Sequence, residues 1–223
     1  MVNLTRIYTR TGDQGTTALG DFTRIPKTDT RLAAYADANE ANAAIGVALA
    51  VGSLPEDVAA VLLRVQNDLF DVGADLSTPL REQYDYEPLR VKAEWVEELE
   101  RDCDVYLERV EPLRSFILPG GSVAAAHLHL ALTVVRRAER SAWAAVEAYG
   151  TDPSPDKGTG GVNPLTATYL NRLSDLLFIL ARVANIGRQG SEEQGDVLWR
   201  PGGGRAAAPS SRGRGPSATA EDG

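Results

Sequence analysis

A single cysteine in 223 residues, Cys103, excludes an internal disulfide framework and a cysteine-based zinc site. It lies in an amphipathic stretch, where a thiol serves as a small core side chain. Histidine is nearly as scarce. His127 and His129 stand two residues apart on an expected helix, hence on different faces, and the residues three before them are Ala124 and Ala126. The Glu-x-x-His pairs of a di-iron helical bundle are therefore absent, and both histidines read as structural. Long apolar runs are missing too: no stretch of 18 apolar residues occurs, and the opening MVNLTRIYTRTGDQG has no signal-peptide core, so a cytoplasmic, non-membrane protein is expected. Positive charge is in deficit, with 23 Lys and Arg against 31 Asp and Glu and a formal net charge of −8. Such a surface repels nucleic-acid phosphates and anionic lipid, so any anion site has to be a local concentration of arginine.

What is present points to helices. Hydrophobic residues make up 43% of the chain, enough at this length for one core. Residues 1–29 are rich in Thr, Gly and Asp and read as a loop with at most one short strand. An Ala-rich, Pro-free helix is expected over 30–51, punctuated by Gly52 and Pro55. Val58, Leu62, Val65, Leu69 and Val72 recur at helical spacing over 56–76. Val91, Trp95, Leu99, Cys103, Tyr106 and Val110 mark a third helix before Pro112. Ser122 is an N-cap for a long helix to Tyr149, and Asn163-Pro164 starts a fifth that carries Leu165, Tyr169, Leu173, Leu176, Leu180 and Val183. The fold class is therefore all-α, a five-helix bundle. Its expected division is a loop region 1–29, a helical domain 30–199, and a tail 200–223 without large apolar residues, expected to be disordered.

Three segments could carry chemistry. Arg136-Arg137-Ala138-Glu139-Arg140 puts Arg136 and Arg140 one turn apart, with Arg137 100° round the helix, so they either converge on a polyanion or form a solvated face in which Glu139 pairs with its neighbours. Thr9-Arg10-Thr11-Gly12-Asp13-Gln14-Gly15-Thr16-Thr17 could form an anion-binding nest of backbone N–H groups, with Arg10 and Lys27 adding charge, although an ordinary turn has the same composition and no Walker A loop can be fitted. Asn171, Ser174, Asp175, Phe178 and Arg182 make a polar stripe opposite the Leu stripe of the fifth helix, which helix-to-helix hydrogen bonding would also explain.

Together with Gln66 to Leu76 and Phe116 to Gly121, these segments resemble the PduO-type ATP:cob(I)alamin adenosyltransferases over nearly all of residues 5–200. The carrying motifs are Thr9 to Asp13 with Gly15-Thr16-Thr17, Gln66 to Leu76, Phe116 to Gly121, Arg136 to Arg140, and Tyr169 to Asp175. The resemblance implies a homotrimer with each active site between two subunits, and transfer of the 5′-deoxyadenosyl group of ATP to the cobalt of cob(I)alamin. It implies an ATP set of Thr9, Arg10, Thr11, Gly12, Thr17, Lys27, Arg136, Arg137, Glu139, Arg140 and Asn171, with Glu139 orienting the arginines or helping to hold Mg²⁺. It implies a cobalamin set of Phe116, Asp175, Phe178, Leu198 and Trp199, with Phe116 covering the lower face of the corrin. Arg136, Arg140 and Asp175 are the implied catalytic residues, and an adenosylcobalamin-dependent mutase the implied partner. Two positions depart from the family pattern. Leu132 stands where an arginine is usual and Asn39 where an aspartate is usual, and these are the partners of an ion pair across the family's subunit interface. A non-catalytic cobalamin carrier is the second reading, opposed by retention of the whole ATP set.

Overall fold

The computed structural model describes residues 8–186 and 195–202. Among these are five helices, α1 (Thr30–Val51), α2 (Glu56–Leu76), α3 (Ala93–Leu107), α4 (Val123–Tyr149) and α5 (Leu165–Val183), and two short strands, β1 (Thr16–Ala18) and β2 (Arg24–Pro26). The all-α expectation holds. The single short strand expected in the N-terminal loop is instead an antiparallel pair, with Thr17 opposite Ile25. Most of the tail expected to be disordered, residues 203–223, lies outside the described residues.

Local chemistry sets the helix starts. Asp29 caps α1 by accepting from the Arg31 N–H at 2.8 Å, and Ser122 caps α4 by accepting from the Ala125 N–H at 3.0 Å. Asn163 accepts from the Leu165 N–H at 3.1 Å at the head of α5. α1 and α4 run antiparallel and meet through small side chains, Ala34, Ala38, Ala41 and Ala48 on one and Ala131, Ala138, Ala142 and Ala145 on the other, all fully buried. Such faces let two axes approach to the short end of the range of about 8–10 Å. α5 packs between α4 and α3, and most of its residues are buried. The polar stripe expected on it is open only in part: Asn171 is exposed and Asp175 and Phe178 are half-buried, whereas Ser174 and Arg182 are buried with the leucines. Cys103 lies at the rim of the core, half-buried, and burial followed by the nearby Asp175 carboxylate pushes its thiol up to about 11.

Two buried arginines tie the connections to the bundle. Arg31, fully buried, donates to Leu76 O at 3.3 Å and to Gly160 O at 2.6 Å, and its guanidinium stacks 4.4 Å from the Tyr149 ring. These contacts collect the ends of α2 and α4 around the start of α1. Arg182 does the same at the opposite end of the molecule, donating to Glu111 O and to the Asp196 carboxylate, both at 2.6 Å.

Candidate active site

The N-terminal loop is built around unusual backbone. Arg10 adopts a left-handed conformation, φ 63°, at a cost of about 1 kcal/mol for a residue with a side chain. The turn closes through Asp13 N–H to Arg10 O at 3.4 Å and Gly15 N–H to Gly12 O at 3.2 Å. Among the described residues, the N–H groups of Thr11 and Gly12 have no protein acceptor, an arrangement suited to an anion. Thr9 and Thr11 hydroxyls pair at 2.9 Å. Lys27 crosses the loop so closely that a Cβ on Gly12 would lie 3.1 Å from its Nζ. Thr17 sits on β1, in the hairpin that carries Lys27 back. Sequence reasoning missed Arg24, whose guanidinium fastens this loop by donating to Thr11 O and Thr16 Oγ1, each at 2.7 Å. No spacing signal marks it, since its partners lie across the hairpin.

α4 and α5 form the second part of the site. Their antiparallel register is set by Asn171, which donates to Glu139 Oε1 at 3.1 Å, and by the Phe178 ring packed edge-on to His129 at 6.1 Å. Asp175 therefore lies between these two levels, opposite the stretch from Leu132 to Arg136. Its carboxylate accepts from Arg172 at 3.1 Å. Arg136 and Arg140 project from α4 into solvent with no ion-pair or hydrogen-bond partner among the described residues. Arg137 differs: it turns to α1, paired with Glu40 and, at 3.7 Å, with Asp37. The cluster thus splits into two unpaired guanidiniums and one bound to carboxylates. Leu132 is buried in the core, so the position where the resemblance implies an arginine is here apolar, and Asn39 is half-buried beside Gly73.

The third part is apolar. Phe116 is 78% exposed, and its only ring partner among the described residues is Trp199, edge-on at 6.0 Å. The two segments pair as a short antiparallel bridge, Ile117 opposite Leu198, with Leu118 N–H to Val197 O at 2.8 Å and Trp199 N–H to Phe116 O at 2.7 Å. Gly121, at φ 110°, is required there, because a Cβ would lie 2.1 Å from Asn185 Oδ1. His129, read as structural, is buried beside Phe178, and burial holds its imidazole below the ordinary 6.5 against a weaker opposing pull from Asp196. Its Nε2 has no hydrogen-bond partner among the described residues.

Along α4 the order is thus Arg140, Glu139 with Asn171, Arg136, the level of Asp175, then His129 with Phe178, and beyond the helix start Phe116 with Trp199. Arg140 to His129 spans about 16 Å at the helical rise. This order runs from the exposed guanidiniums of Arg140 and Arg136 to the aromatic side chains of Phe178, Phe116 and Trp199. No hydrogen bond or ion pair among the described residues joins the N-terminal loop to Arg136 or Arg140. Nor does any group of three His, Cys, Asp or Glu there have the geometry to hold a metal ion.

The family model for cobalamin adenosyltransferase matches residues 7–184. The chain is 58% identical over 207 residues to a corrinoid adenosyltransferase of Mycobacterium tuberculosis, covering 93% of this chain and 99% of that one. It is 56% identical to the corrinoid adenosyltransferase of Mycobacterium leprae over 205 residues, 91% of this chain and 99% of that one. Among solved structures it is similar to a phenylalanine-to-alanine variant of the PduO-type ATP:corrinoid adenosyltransferase from Lactobacillus reuteri complexed with cobalamin and ATP. That likeness has a TM-score of 0.74 and 32% identity, and covers 87% of this chain and 99% of that one.

Proposed function

This chain belongs to the cobalamin adenosyltransferase family and is an ATP:corrinoid adenosyltransferase; from that premise we propose how its own residues divide the work. The reaction joins the 5′-deoxyadenosyl group of ATP to the cobalt of cob(I)alamin. The cobalt–carbon bond forms with the electron pair of cobalt while the bond from C5′ to the triphosphate oxygen breaks, and triphosphate leaves with that bonding pair. Cobalt carries the hard chemistry, and the chain supplies position and charge.

Arg136 and Arg140 bind the triphosphate and stabilise it as a leaving group, and their lack of partners among the described residues is the observation that carries this assignment. The free N–H groups of Thr11 and Gly12, the hydroxyls of Thr9 and Thr17, Arg10 and Lys27 form the other side of the clamp. Asn171 and Glu139 hold each other at the ribose level. Arg137, ion-paired to α1, supports the cluster from behind and contributes field more than contact. Asp175 faces the cofactor edge, and Phe116, Phe178, Leu198 and Trp199 form the apolar floor. An apolar side chain under cobalt offers no lower ligand, which favours four-coordinate cob(II)alamin and eases its reduction.

Mg²⁺ fits a site of this kind, being bound typically through phosphate oxygens with one or two carboxylates, and Glu139 is the carboxylate at the right level. When bound, it neutralises triphosphate charge.

We place each active site between two subunits of a homotrimer, the loop of one facing the α4–α5 groove of the next. The support is that no hydrogen bond or ion pair among the described residues joins the Thr9–Thr17 loop to Arg136 or Arg140, and that α1 and α4 leave Val47 and Leu130 exposed. The compartment in this reading is the cytoplasm, and the product passes to an adenosylcobalamin-dependent mutase. The same reading divides the chain into a loop region 1–29, a helical domain 30–199 and a tail 200–223. Mixing the impaired variants Lys27→Ala and Arg140→Ala at limiting ATP tests the shared site. Random reassembly should restore about a quarter of wild-type activity, because that share of interfaces pairs two intact halves. No recovery after verified subunit exchange would put both halves in one chain.

A further inference from the structure

The described C-terminal segment, residues 195–202, is held by one buried ion pair. Arg182 Nε donates to Asp196 Oδ2 at 2.6 Å, with the two side chains only 6% and 12% exposed. The other Asp196 oxygen accepts from Asn185 Nδ2 at 3.3 Å. The same Asn185 amide reaches the Phe116 segment, donating to Gly120 O at 3.3 Å while its oxygen accepts from Ser122 N–H at 2.9 Å. The Arg182 guanidinium is itself fixed on its far side by Glu111 O. Three residues beyond Asp196, Trp199 packs on Phe116; besides that ring contact and Ser115 Oγ donating to Trp199 O at 3.2 Å, the two segments are joined by backbone pairing at a two-stranded edge, which is marginal on its own.

We infer that Arg182, through Asp196 and Asn185, is a positioning residue for the corrin site: it fixes the segment carrying Leu198 and Trp199 against Phe116, so that these side chains form one preorganised apolar floor. A surface ion pair would be too weak for this, but a buried, doubly hydrogen-bonded one is lost only with a large penalty, because either partner left alone is a buried charge. The inference rests on the corrin-floor reading of Phe116, but the latch itself can be measured without cobalamin.

The test uses the full chain and the substitution Asp196→Asn, which lies outside the helices and keeps the size of the side chain while removing its charge. Hydrogen–deuterium exchange of the free protein reads the latch directly. Peptides covering 115–121 and 195–202 should exchange about tenfold faster or more in the variant, with the rest of the bundle unchanged. With cobalamin and ATP, the KM for cobalamin should rise about five- to tenfold while the KM for ATP stays within about twofold. The four-coordinate cob(II)alamin absorption signature should weaken, and Asp196→Glu should restore part of each effect. Arg182→Lys, which keeps the charge but cannot hold both Asp196 and Glu111 O, should reproduce the Asn variant. Unchanged exchange in both segments would overturn the latch. Faster exchange with unchanged cobalamin KM and signature would overturn its positioning role. A wild-type chain that neither binds nor adenosylates cobalamin would sink the corrin-floor reading, and the positioning role with it, while exchange would still decide the latch.

Discussion

Replacing Arg140 by alanine separates binding from folding with unusual clarity, because the guanidinium is exposed and bonded to nothing among the described residues. Its removal leaves no buried group unpaired, and alanine is at least as good a helix former. Stability should change by no more than about 0.5 kcal/mol, which for a chain of this size moves the melting temperature by about 2 °C or less. In the complex the same side chain donates to a triphosphate oxygen, a charge-assisted bond worth about 1.5–3 kcal/mol. At about 1.4 kcal/mol per decade, kcat/KM for ATP should fall about 10- to 150-fold. If the contact tightens as the triphosphate departs, kcat carries the loss; if it is equal throughout, KM does. The assay is anaerobic turnover at saturating cob(I)alamin over a range of ATP, with a thermal melt of the same preparation. A kcat/KM within twofold of wild type would remove Arg140 from the site, and a fall in melting temperature beyond about 5 °C would show that its exposed, unpaired placement is wrong.

Arg137→Ala should behave differently. Its pairs with Glu40 and Asp37 are solvent-exposed and worth about 1 kcal/mol or less, so a thermal melt should show a small loss, and kcat/KM for ATP should fall less than in Arg140→Ala. A larger kinetic loss than for Arg140 would mean Arg137 leaves α1 to bind the nucleotide. Gly121→Ala places a Cβ on Asn185 and strains a backbone at φ 110°, so cobalamin KM should rise and stability drop by about 1–3 kcal/mol, readable by denaturant titration. His129 predicts an acid limb. Its folded pKa is depressed by burial below 6.5, so the unfolded chain takes up the proton first, and stability present above pH 6.5 is lost as pH falls toward the folded value. His129→Gln should flatten that limb in melts between pH 7.5 and about 5; an unaltered slope would show that the group does not titrate differently on unfolding.

The sequence speaks most plainly where structure is local. The limits of α1 and α2 coincide with those read from it because Asp29, Pro55 and Gly52 act on their immediate neighbours. The long α4 is legible from the Ser122 cap and the absence of Gly and Pro. Pairings across the chain are not legible this way. Nothing at Arg137 reveals that Glu40 lies 97 residues back in sequence yet beside it in space. Arg182 has helical spacing from Asp175 and so joins its stripe on paper, but at its level α5 is buried and the charge is consumed by Asp196. The β1–β2 pair was hidden because strands of three residues carry no alternation to read. Arg24 and Asp196, which hold the N-terminal loop and the C-terminal segment in place, belong to no motif and are not legible from spacing.

The central claim is adenosyl transfer, and the most direct measurement is anaerobic incubation of the purified chain with ATP, Mg²⁺ and chemically reduced cobalamin, following the light-sensitive cobalt–carbon product and released triphosphate. Adenosylcobalamin and triphosphate in equal amounts is the expected result. Tight cobalamin binding with neither product would contradict it and leave a carrier.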